Sequence, residues 1–373
     1  MRVKNPQIVL FVFMLVCSTC STKTVRQPLD LETEIINFHS LKRIETNSIP
    51  ESIIKNVSYV KLDGSSDDIQ FRDVTILKII NNRIFIMDFL LRKLVVFDST
   101  GAGIGKVGSR GQGPVEYLMI HDFCVGDTGD IYIMDSTTGN RKLFVFDKDF
   151  KFASVQSLPF SSKHIHRLVN DKFLFALNSF NEENNASTQI VITDEQLKTE
   201  KAYLQFDEYV DNNYLIGFST FTCVDNKILY HRTIDNFVYE FSNEGEPLKT
   251  YFFDFGSRDV PNNVRKNIGE NLEEFKWYSC ISNIVFINDN YIAGILFDEQ
   301  KYKPFIADRI ENCLYILNRQ EKGFRDMLWC YENKLVSCLS PGKYEDIQSS
   351  DLPQDVKDHI ANEDFVLCLY ELK

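Results

Sequence analysis

Short runs of apolar residues, separated by polar turns, occupy most of the chain and come in pairs. The clearest are residues 83–88 (RIFIMD) with 93–98 (KLVVFD), and residues 130–135 (DIYIMD) with 142–147 (KLFVFD). Each run is rich in β-branched and aromatic residues and ends in Asp, where a turn begins, so each pair predicts two β-strands. Successive pairs start about 47 residues apart, a spacing typical of one four-stranded propeller blade.

Fainter copies of this paired pattern follow. They are residues 172–178 with 189–194, 227–231 with 237–241, 291–296 with 304–308, and 334–338 with 365–370. Six pairs predict an all-β fold, a six-bladed β-propeller with four-stranded blades. A remaining run at residues 57–62 is predicted to close the last blade as its outer strand, because joining both chain ends in one blade removes two free sheet edges.

Two stretches depart from the strand pattern and predict short helical insertions. Residues 260–277 place Val264, Ile268 and Leu272 at helical spacing. Residues 351–361 begin with Asp351 as a candidate N-cap, and Pro353 would then lie just inside the first turn.

The N-terminus has the features of a secretion signal. Basic residues precede an unbroken apolar run at residues 8–16, which is too short to span a bilayer and fits a signal peptide. Ser18 and Thr19 stand before Cys20, as in a bacterial lipobox, so we expect lipidation at Cys20. A plain secretory signal is the alternative. The predicted organisation is a signal peptide at 1–20, a polar tether at 21–55 and a propeller domain at 56–373.

Composition narrows the possible partners. The chain has 373 residues and a formal net charge of −12, which argues against nucleic acid and leaves the lipid anchor as the expected membrane contact. No acidic run follows Cys20, so we expect an outer-membrane anchor facing the periplasm. The cysteines after Cys20 are scattered among apolar residues and are expected to be buried free thiols, although a disulfide within the last blade stays open.

A glycine-rich segment follows the first strand pair. Residues 105–117 (GKVGSRGQGPVEY) resemble a run found in the first blade of the six-bladed β-propeller lipoproteins of Bacteroidota, which are related to NHL-repeat propellers. The positions that match are Gly108, Gly111, Gly113, Pro114, Glu116 and Tyr117. Val115 departs from the pattern, since that position is often Gly in the family. The resemblance implies the fold and an envelope location, and it carries over no catalytic residue.

The same segment supplies the candidate binding residues. It is neither a Walker loop, because no Lys-Ser/Thr follows the last glycine, nor a dinucleotide fingerprint, because no helix follows. Arg110, Glu116 and Tyr117 are predicted to present polar groups at the channel mouth. The alternative is that the segment is a structural clasp between blades, with glycines that allow positive φ.

Other candidate chemistry has a simpler explanation. Asp88, Asp98, Asp135 and Asp147 recur in each clear repeat, which favours a role in turns over a calcium site. His164 and His166 would share one face of a strand, and His121 stands beside Asp122 in a predicted inner strand, but no zinc-ligand spacing accompanies them. No nucleophile elbow appears. We therefore predict no catalytic residue, no metal and no cofactor.

These observations lead to two hypotheses. The first is an envelope lipoprotein that acts as a non-enzymatic binding or scaffold propeller for a glycan, a peptide or an envelope protein. The alternative is a metal-dependent propeller enzyme of the lactonase or lyase type, with its metal in the central channel.

Overall fold

The computed structural model describes residues 29–178, 181, 188–205, 221–224, 226–231, 236–317, 329–341, 351–362 and 364–373. Within these ranges 26 strands form six separate sheets, each built on four antiparallel strands. The first strands of neighbouring blades contact one another, so they surround the central channel. The predicted all-β, six-bladed propeller is confirmed.

Three strands precede the first complete blade. They are β1 (Thr33–Asn37), β2 (Lys42–Thr46) and β3 (Ile54–Lys61). Blade 1 then contains β4 (Ile76–Ile80), β5 (Arg83–Asp88), β6 (Lys93–Asp98) and β7 (Gly103–Lys106). Blade 2 contains β8 (Asp122–Val125), β9 (Ile131–Thr137), β10 (Asn140–Phe146) and β11 (Phe152–Ser157). Blade 3 contains β12 (Ser162–Arg167), β13 (Phe173–Leu177), β14 (Thr188–Thr193) and β15 (Thr199–Gln205).

The second half of the ring repeats this order. Blade 4 contains β16 (Phe221–Val224), β17 (Lys227–His231), β18 (Phe237–Ser242) and β19 (Pro247–Asp254). Blade 5 contains β20 (Ser279–Ile287), β21 (Tyr291–Asp298), β22 (Lys301–Asp308) and β23 (Cys313–Leu317). Blade 6 contains β24 (Trp329–Tyr331), β25 (Lys334–Leu339) and β26 (Val366–Leu372). In all six blades the paired runs of the sequence are the second and third strands.

The N-terminal strand β3 completes blade 6, as predicted. It pairs antiparallel with β26, from Lys61 opposite Val366 to Ile54 opposite Leu372. One blade thus holds both ends of the propeller, and the ring is closed by hydrogen bonds between them.

Part of the segment predicted to be a tether forms regular structure. Strand β1 pairs in parallel with β19 and adds a fifth strand to blade 4, and β2 pairs in parallel with β23 and adds a fifth strand to blade 5. Ion pairs hold both strands. The Glu34 carboxylate of β1 contacts Lys249 and Arg309, and the Arg43 guanidinium of β2 contacts Asp298. Their contacts lie more than 200 residues away in the sequence, which is why the local pattern at 33–46 did not predict them.

The apolar core is a ring of clusters between neighbouring blades. Between blades 1 and 2, Phe85 and Val96 pack against Phe123 and Phe144, all fully buried. Equivalent clusters join blades 2 to 3 and 3 to 4, one larger cluster spans blades 4 to 6, and another joins blade 6 to blade 1. Each blade therefore buries both of its faces against its neighbours.

Both predicted helical insertions are present, with different boundaries. The first contains two short helices, α1 (Asn262–Lys266) and α2 (Leu272–Phe275), where one was expected. The second is α3 (Gln354–Ala361). Its N-cap position is Pro353 rather than Asp351, because the extended backbone of Pro353 precedes the helix and its carbonyl accepts from Val356 N.

The strands of each blade alternate in direction, so the connections between them lie alternately at the two faces of the propeller. The turns between second and third strands, and the links from one blade to the next, lie on one face, named here the loop face. The other turns lie on the opposite face. The helices α1 and α2 link blades 4 and 5, and α3 lies between β25 and β26, so both insertions belong to the loop face.

Candidate functional site

The recurring aspartates at the ends of second strands hold the loop face together. The Asp88 Oδ2 atom accepts the backbone N–H groups of Arg72 and Asp73, at 2.7 and 3.2 Å. Asp135 repeats this arrangement with Leu118 and Met119, at 2.8 and 3.2 Å. Both carboxylates are buried, and each fastens the link that enters its blade.

The aspartates at the ends of third strands act within turns. Asp98 Oδ1 accepts from the N–H groups of Thr100 and Ala102, and Asp147 Oδ1 accepts from those of Asp149 and Lys151. Each of these four repeated carboxylates thus accepts backbone N–H groups of its own link or turn. This local role explains why they recur, and they do not converge on one central position.

The glycine-rich segment crosses from blade 1 to blade 2 on the loop face. Tyr117 is buried, and its hydroxyl donates to the Val107 carbonyl at 3.1 Å. Burial raises the pKa of Tyr117 far above its usual range. Gly108 has φ +63°, and a Cβ there would lie 2.6 Å from the Phe146 ring, so this crossing requires glycine.

A small polar cleft lies beside this crossing. It has a volume of about 190 Å³. Its lining residues are Gly111, Gln112, Gly113, Glu116, Leu118, Asn140 and Lys142. Glu116 Oε2 accepts the Gly113 N–H at 2.8 Å, and a Cβ at Gly111 would collide with the same carboxylate.

The structure separates the three predicted binding residues. Glu116 lines the cleft, whereas the Tyr117 side chain lies in the core between the blades. Arg110 is exposed and is not among the lining residues. Tyr117 therefore supplies the structural contact of a clasp, and Glu116 is the one of the three predicted residues that lines the cleft.

The turn between β5 and β6 exposes three consecutive apolar residues next to the glycine-rich segment. Phe89, Leu90 and Leu91 are 45%, 71% and 38% exposed. The turn contacts the crossing segment, since Arg92 Nη1 donates to the Leu118 carbonyl at 3.3 Å. We name the combined surface of residues 89–91, 110–118 and 140–142 the blade 1–2 surface.

One buried carboxylate joins the inner strands of three neighbouring blades. Asp122 is buried at the start of β8, where Lys78 Nζ contacts its Oδ1 at 2.9 Å and His164 Nδ1 contacts its Oδ2 at 3.3 Å. Oδ2 also accepts the Ile165 N–H at 3.0 Å. Burial alone would raise the pKa of Asp122, but the Lys78 charge and the His164 hydrogen bond hold it well below its usual range.

A second polar pair lies deeper along the inner strands. Cys223 Sγ is 3.5 Å from His166 Nδ1. Desolvation, followed by the nearby Lys78 charge, lowers the pKa of His166 to about 4. Desolvation also raises the pKa of the Cys223 thiol to about 11. At neutral pH the pair is therefore a neutral imidazole and a thiol, not an activated thiolate.

The predicted strand placement is confirmed for His164 and His166, which lie two apart on β12. His121 directly precedes the inner strand β8, which begins at Asp122. Within the described ranges no three His, Cys, Asp or Glu side chains come close enough together to hold a metal ion. The seven cysteines after Cys20 are free, four of them buried. None of the described helices is long and apolar enough to cross a bilayer.

Sequence reasoning did not identify Lys78, Asn140, Lys142 or the turn at residues 89–91. Lys78 belongs to an ordinary strand pattern, and its partner Asp122 comes from the next blade. The run Phe89-Leu90-Leu91 is apolar, whereas the other turns between strand pairs are polar. This difference is the signal in the sequence that could have indicated an exposed apolar turn.

The geometry defines a closed six-bladed propeller with a polar cleft and an apolar turn on its loop face. The chain belongs to the family described as 6-bladed beta-propeller, whose model matches residues 26–322. A comparison with curated proteins gives no match.

Solved structures are similar at low sequence identity. A Bacteroides fragilis protein described as exported aligns over 91% of this chain and 99% of its own length, with 19% identity and a TM-score of 0.74. BamB from Moraxella catarrhalis covers 86% of this chain and 100% of its own, with 14% identity and a TM-score of 0.41. A catalytically inactive virginiamycin B lyase from Staphylococcus aureus with quinupristin covers 88% and 95%, with 11% identity and a TM-score of 0.42. The first likeness supports the fold, and it shows nothing further.

Proposed function

We propose that this chain is an envelope lipoprotein whose propeller binds another envelope protein through the blade 1–2 surface, without catalysing a reaction. The run of Phe89, Leu90 and Leu91 carries the proposal. Three consecutive exposed apolar residues are unfavourable in water, and such surfaces in folded proteins are typical of binding sites. Leucine side chains favour a protein partner over a glycan, because sugars bind mainly to aromatic faces and polar groups.

The polar cleft supplies the complementary groups. Lys142, Asn140 and Glu116 offer a cation, an amide and a carboxylate beside the apolar turn. Protein interfaces commonly combine an apolar centre with a polar rim of this kind. On the inner strands, in contrast, Asp122 is paired with both Lys78 and His164, which supports binding at the surface rather than chemistry at this carboxylate.

The envelope location is part of the proposal. The signal-like N-terminus and lipidation at Cys20 support it, and the similar Bacteroides fragilis protein is described as exported. Leu29 packs beside the cluster between blades 3 and 4, and β1 runs parallel to β19, from the opposite face towards the loop face. Nine extended residues reach about 30 Å. A lipid at Cys20 would thus hold the opposite face towards an outer-membrane inner leaflet and leave the loop face free in the periplasm.

Replacing one exposed leucine tests the proposal. We expect Leu90→Asp to lower recovery of a cross-linked partner from the native envelope at least roughly tenfold, because a carboxylate in the apolar centre must be desolvated on binding. Val169→Asp is the matched control, since Val169 is 46% exposed but lies on the opposite face. Cross-linking followed by mass spectrometry measures the recovery with both variants and the parent.

Three outcomes would contradict the proposal. Equal recovery with Leu90→Asp and Val169→Asp would show that the blade 1–2 surface is not the binding site. A stoichiometric Ca²⁺ or Zn²⁺ in the purified parent, bound by channel side chains, would favour the enzyme hypothesis. Binding that survives proteolysis of the extract but not glycosidase treatment would identify a glycan instead of a protein.

A further inference from the structure

The outer edge of blade 2 differs from the outer edges of the other blades. Strand β11 (FASVQS) is the outermost strand of its sheet, and no described residue pairs with its outer edge. The outermost strands of the other five blades each contain a charged residue. These residues include Lys106 in β7, Lys201 in β15, Glu34 in β1, Arg43 in β2 and Lys55 in β3. Strand β11 contains none.

This difference matters because free edges attract other strands. Natural sheets protect their edges with charged residues, Pro or very short strands. Strand β11 has six residues, none of them charged or Pro, and exposes Phe152 and Val155, which are 39% and 38% accessible. Such an edge favours the addition of a further strand.

The hydrogen-bonding pattern identifies the free groups. Leu158 N donates to Arg141 O at 3.1 Å, and Lys142 stands opposite Ser157. In an antiparallel ladder the bonded pairs alternate, so the backbone N–H and C=O groups of Val155 and Ser157 point away from β10. They present the donors and acceptors that an added strand would use.

The molecule already contains two examples of this addition. At the equivalent edges of blades 4 and 5, β1 and β2 pair in parallel with the fourth strands β19 and β23 over five residues each. The outer edge of a fourth strand in this propeller is therefore geometrically suited to a fifth strand.

We propose that the outer edge of β11 binds an extended segment of a partner polypeptide as a fifth, parallel strand of blade 2. Backbone hydrogen bonds to Val155 and Ser157 supply the affinity, and apolar side chains of the segment cover Phe152 and Val155. The site adjoins the blade 1–2 surface, because Lys142 stands opposite Ser157, but its contacts do not involve the apolar turn at residues 89–91. The variants Leu90→Asp and Val155→Pro therefore test the two proposals separately.

A peptide from the chain itself is the probe. Residues 31–38 (LETEIINF) include β1, which forms a fifth strand in blade 4. On titration of the full-length protein with this peptide, we expect amide hydrogen exchange at Val155 and Ser157 to slow. Exchange that is unchanged up to millimolar peptide would overturn the proposal, and so would slowing confined to blades 4 and 5.

A pair of variants tests the backbone contact. Val155→Pro removes the outward N–H group, and Pro is tolerated on edge strands where that group faces solvent. Val155→Thr keeps the N–H group and the β-branched shape. We expect Val155→Pro to weaken peptide binding roughly tenfold relative to Val155→Thr, consistent with the loss of one hydrogen bond. Equal affinities would contradict the proposal, and a dimer abolished by Val155→Pro would assign the edge to a second copy instead.

Discussion

At the residue scale, the channel shows how buried charges are made compatible with the fold. Asp122 is accompanied by Lys78 from blade 1 and His164 from blade 3, so one carboxylate connects the inner strands of three blades. Lys78 also donates to the Phe123 carbonyl and lies over the Phe123 ring, 4.7 Å from its centroid. Removing one partner would leave an uncompensated buried charge, which is the costly case for buried ion pairs.

His166 makes the stability of the protein depend on pH. Its pKa in the folded state is about 4, below the usual value of about 6.5 for a histidine in an unfolded chain. The unfolded chain therefore binds a proton more readily, and stability is lost as pH falls from about 6.5 towards 4. We expect His166→Gln to remove about 2 kcal/mol of this loss, measured by urea unfolding at several pH values.

The free energy of unfolding of His166→Gln should still depend on pH to some extent, because a second histidine also has a lowered pKa. Burial also lowers the pKa of His121, so a smaller loss in the same direction remains in the variant. Identical pH profiles for the parent and His166→Gln would refute the assignment.

At the element scale, turns and crossings depend on positions where a side chain does not fit. Gly101, in the turn after β6, has φ +93°, and a Cβ there would lie 1.9 Å from the Lys61 carbonyl oxygen. The Gly101 carbonyl also accepts from Asp63 N at 2.8 Å. This turn thus connects blade 1 to the strand that closes blade 6.

We expect Gly101→Ala to lower the free energy of unfolding by at least about 2 kcal/mol, because it adds backbone strain and a collision with backbone atoms. Gly269→Ala is the control, since no atom lies within 4 Å of its added Cβ. Thermal unfolding monitored by circular dichroism compares the two. A similar midpoint for both variants would argue against the contact.

At the scale of the whole molecule, the N-terminal segment is part of the propeller. Phe38 lies between β1 and β2 and is 3% exposed. Its ring makes edge contacts with Phe253, Phe255 and Phe305, at centroid distances of 5.2 to 5.4 Å. It therefore connects the first strands of the chain to blades 4 and 5.

Truncating this ring should weaken the whole domain. We expect Phe38→Ala to cost about 3 kcal/mol, as is typical of a buried aromatic ring replaced by alanine. Ile35→Ala, at a position 48% exposed in the neighbouring strand, should cost less than about 1 kcal/mol. Urea unfolding measures both, and equal costs would mean that residues 33–46 are attached only loosely.

The amino-acid sequence by itself determined the repeat, the blade number and the closing strand. The alternation of apolar residues and the aspartates in turns are local signals that extend over a few neighbouring positions. They therefore predicted the second and third strands of every blade, and for Arg83–Asp88 and Lys227–His231 they also predicted the exact ends of the strand. The candidate site was predictable in part. Glu116 follows from the glycine-rich motif, but its separation from the buried Tyr117 does not.

The tertiary structure alone decided which distant groups meet. Two of these contacts join residues far apart in the chain: β1 pairs with β19, and Lys78 contacts Asp122. The fold also determines that the outer edge of β11 has no partner strand among the described residues. Such contacts depend on how the blades close around the channel, and closure is set by packing between sheets. Local patterning specifies each strand, but it leaves the neighbours of that strand open until the ring has formed.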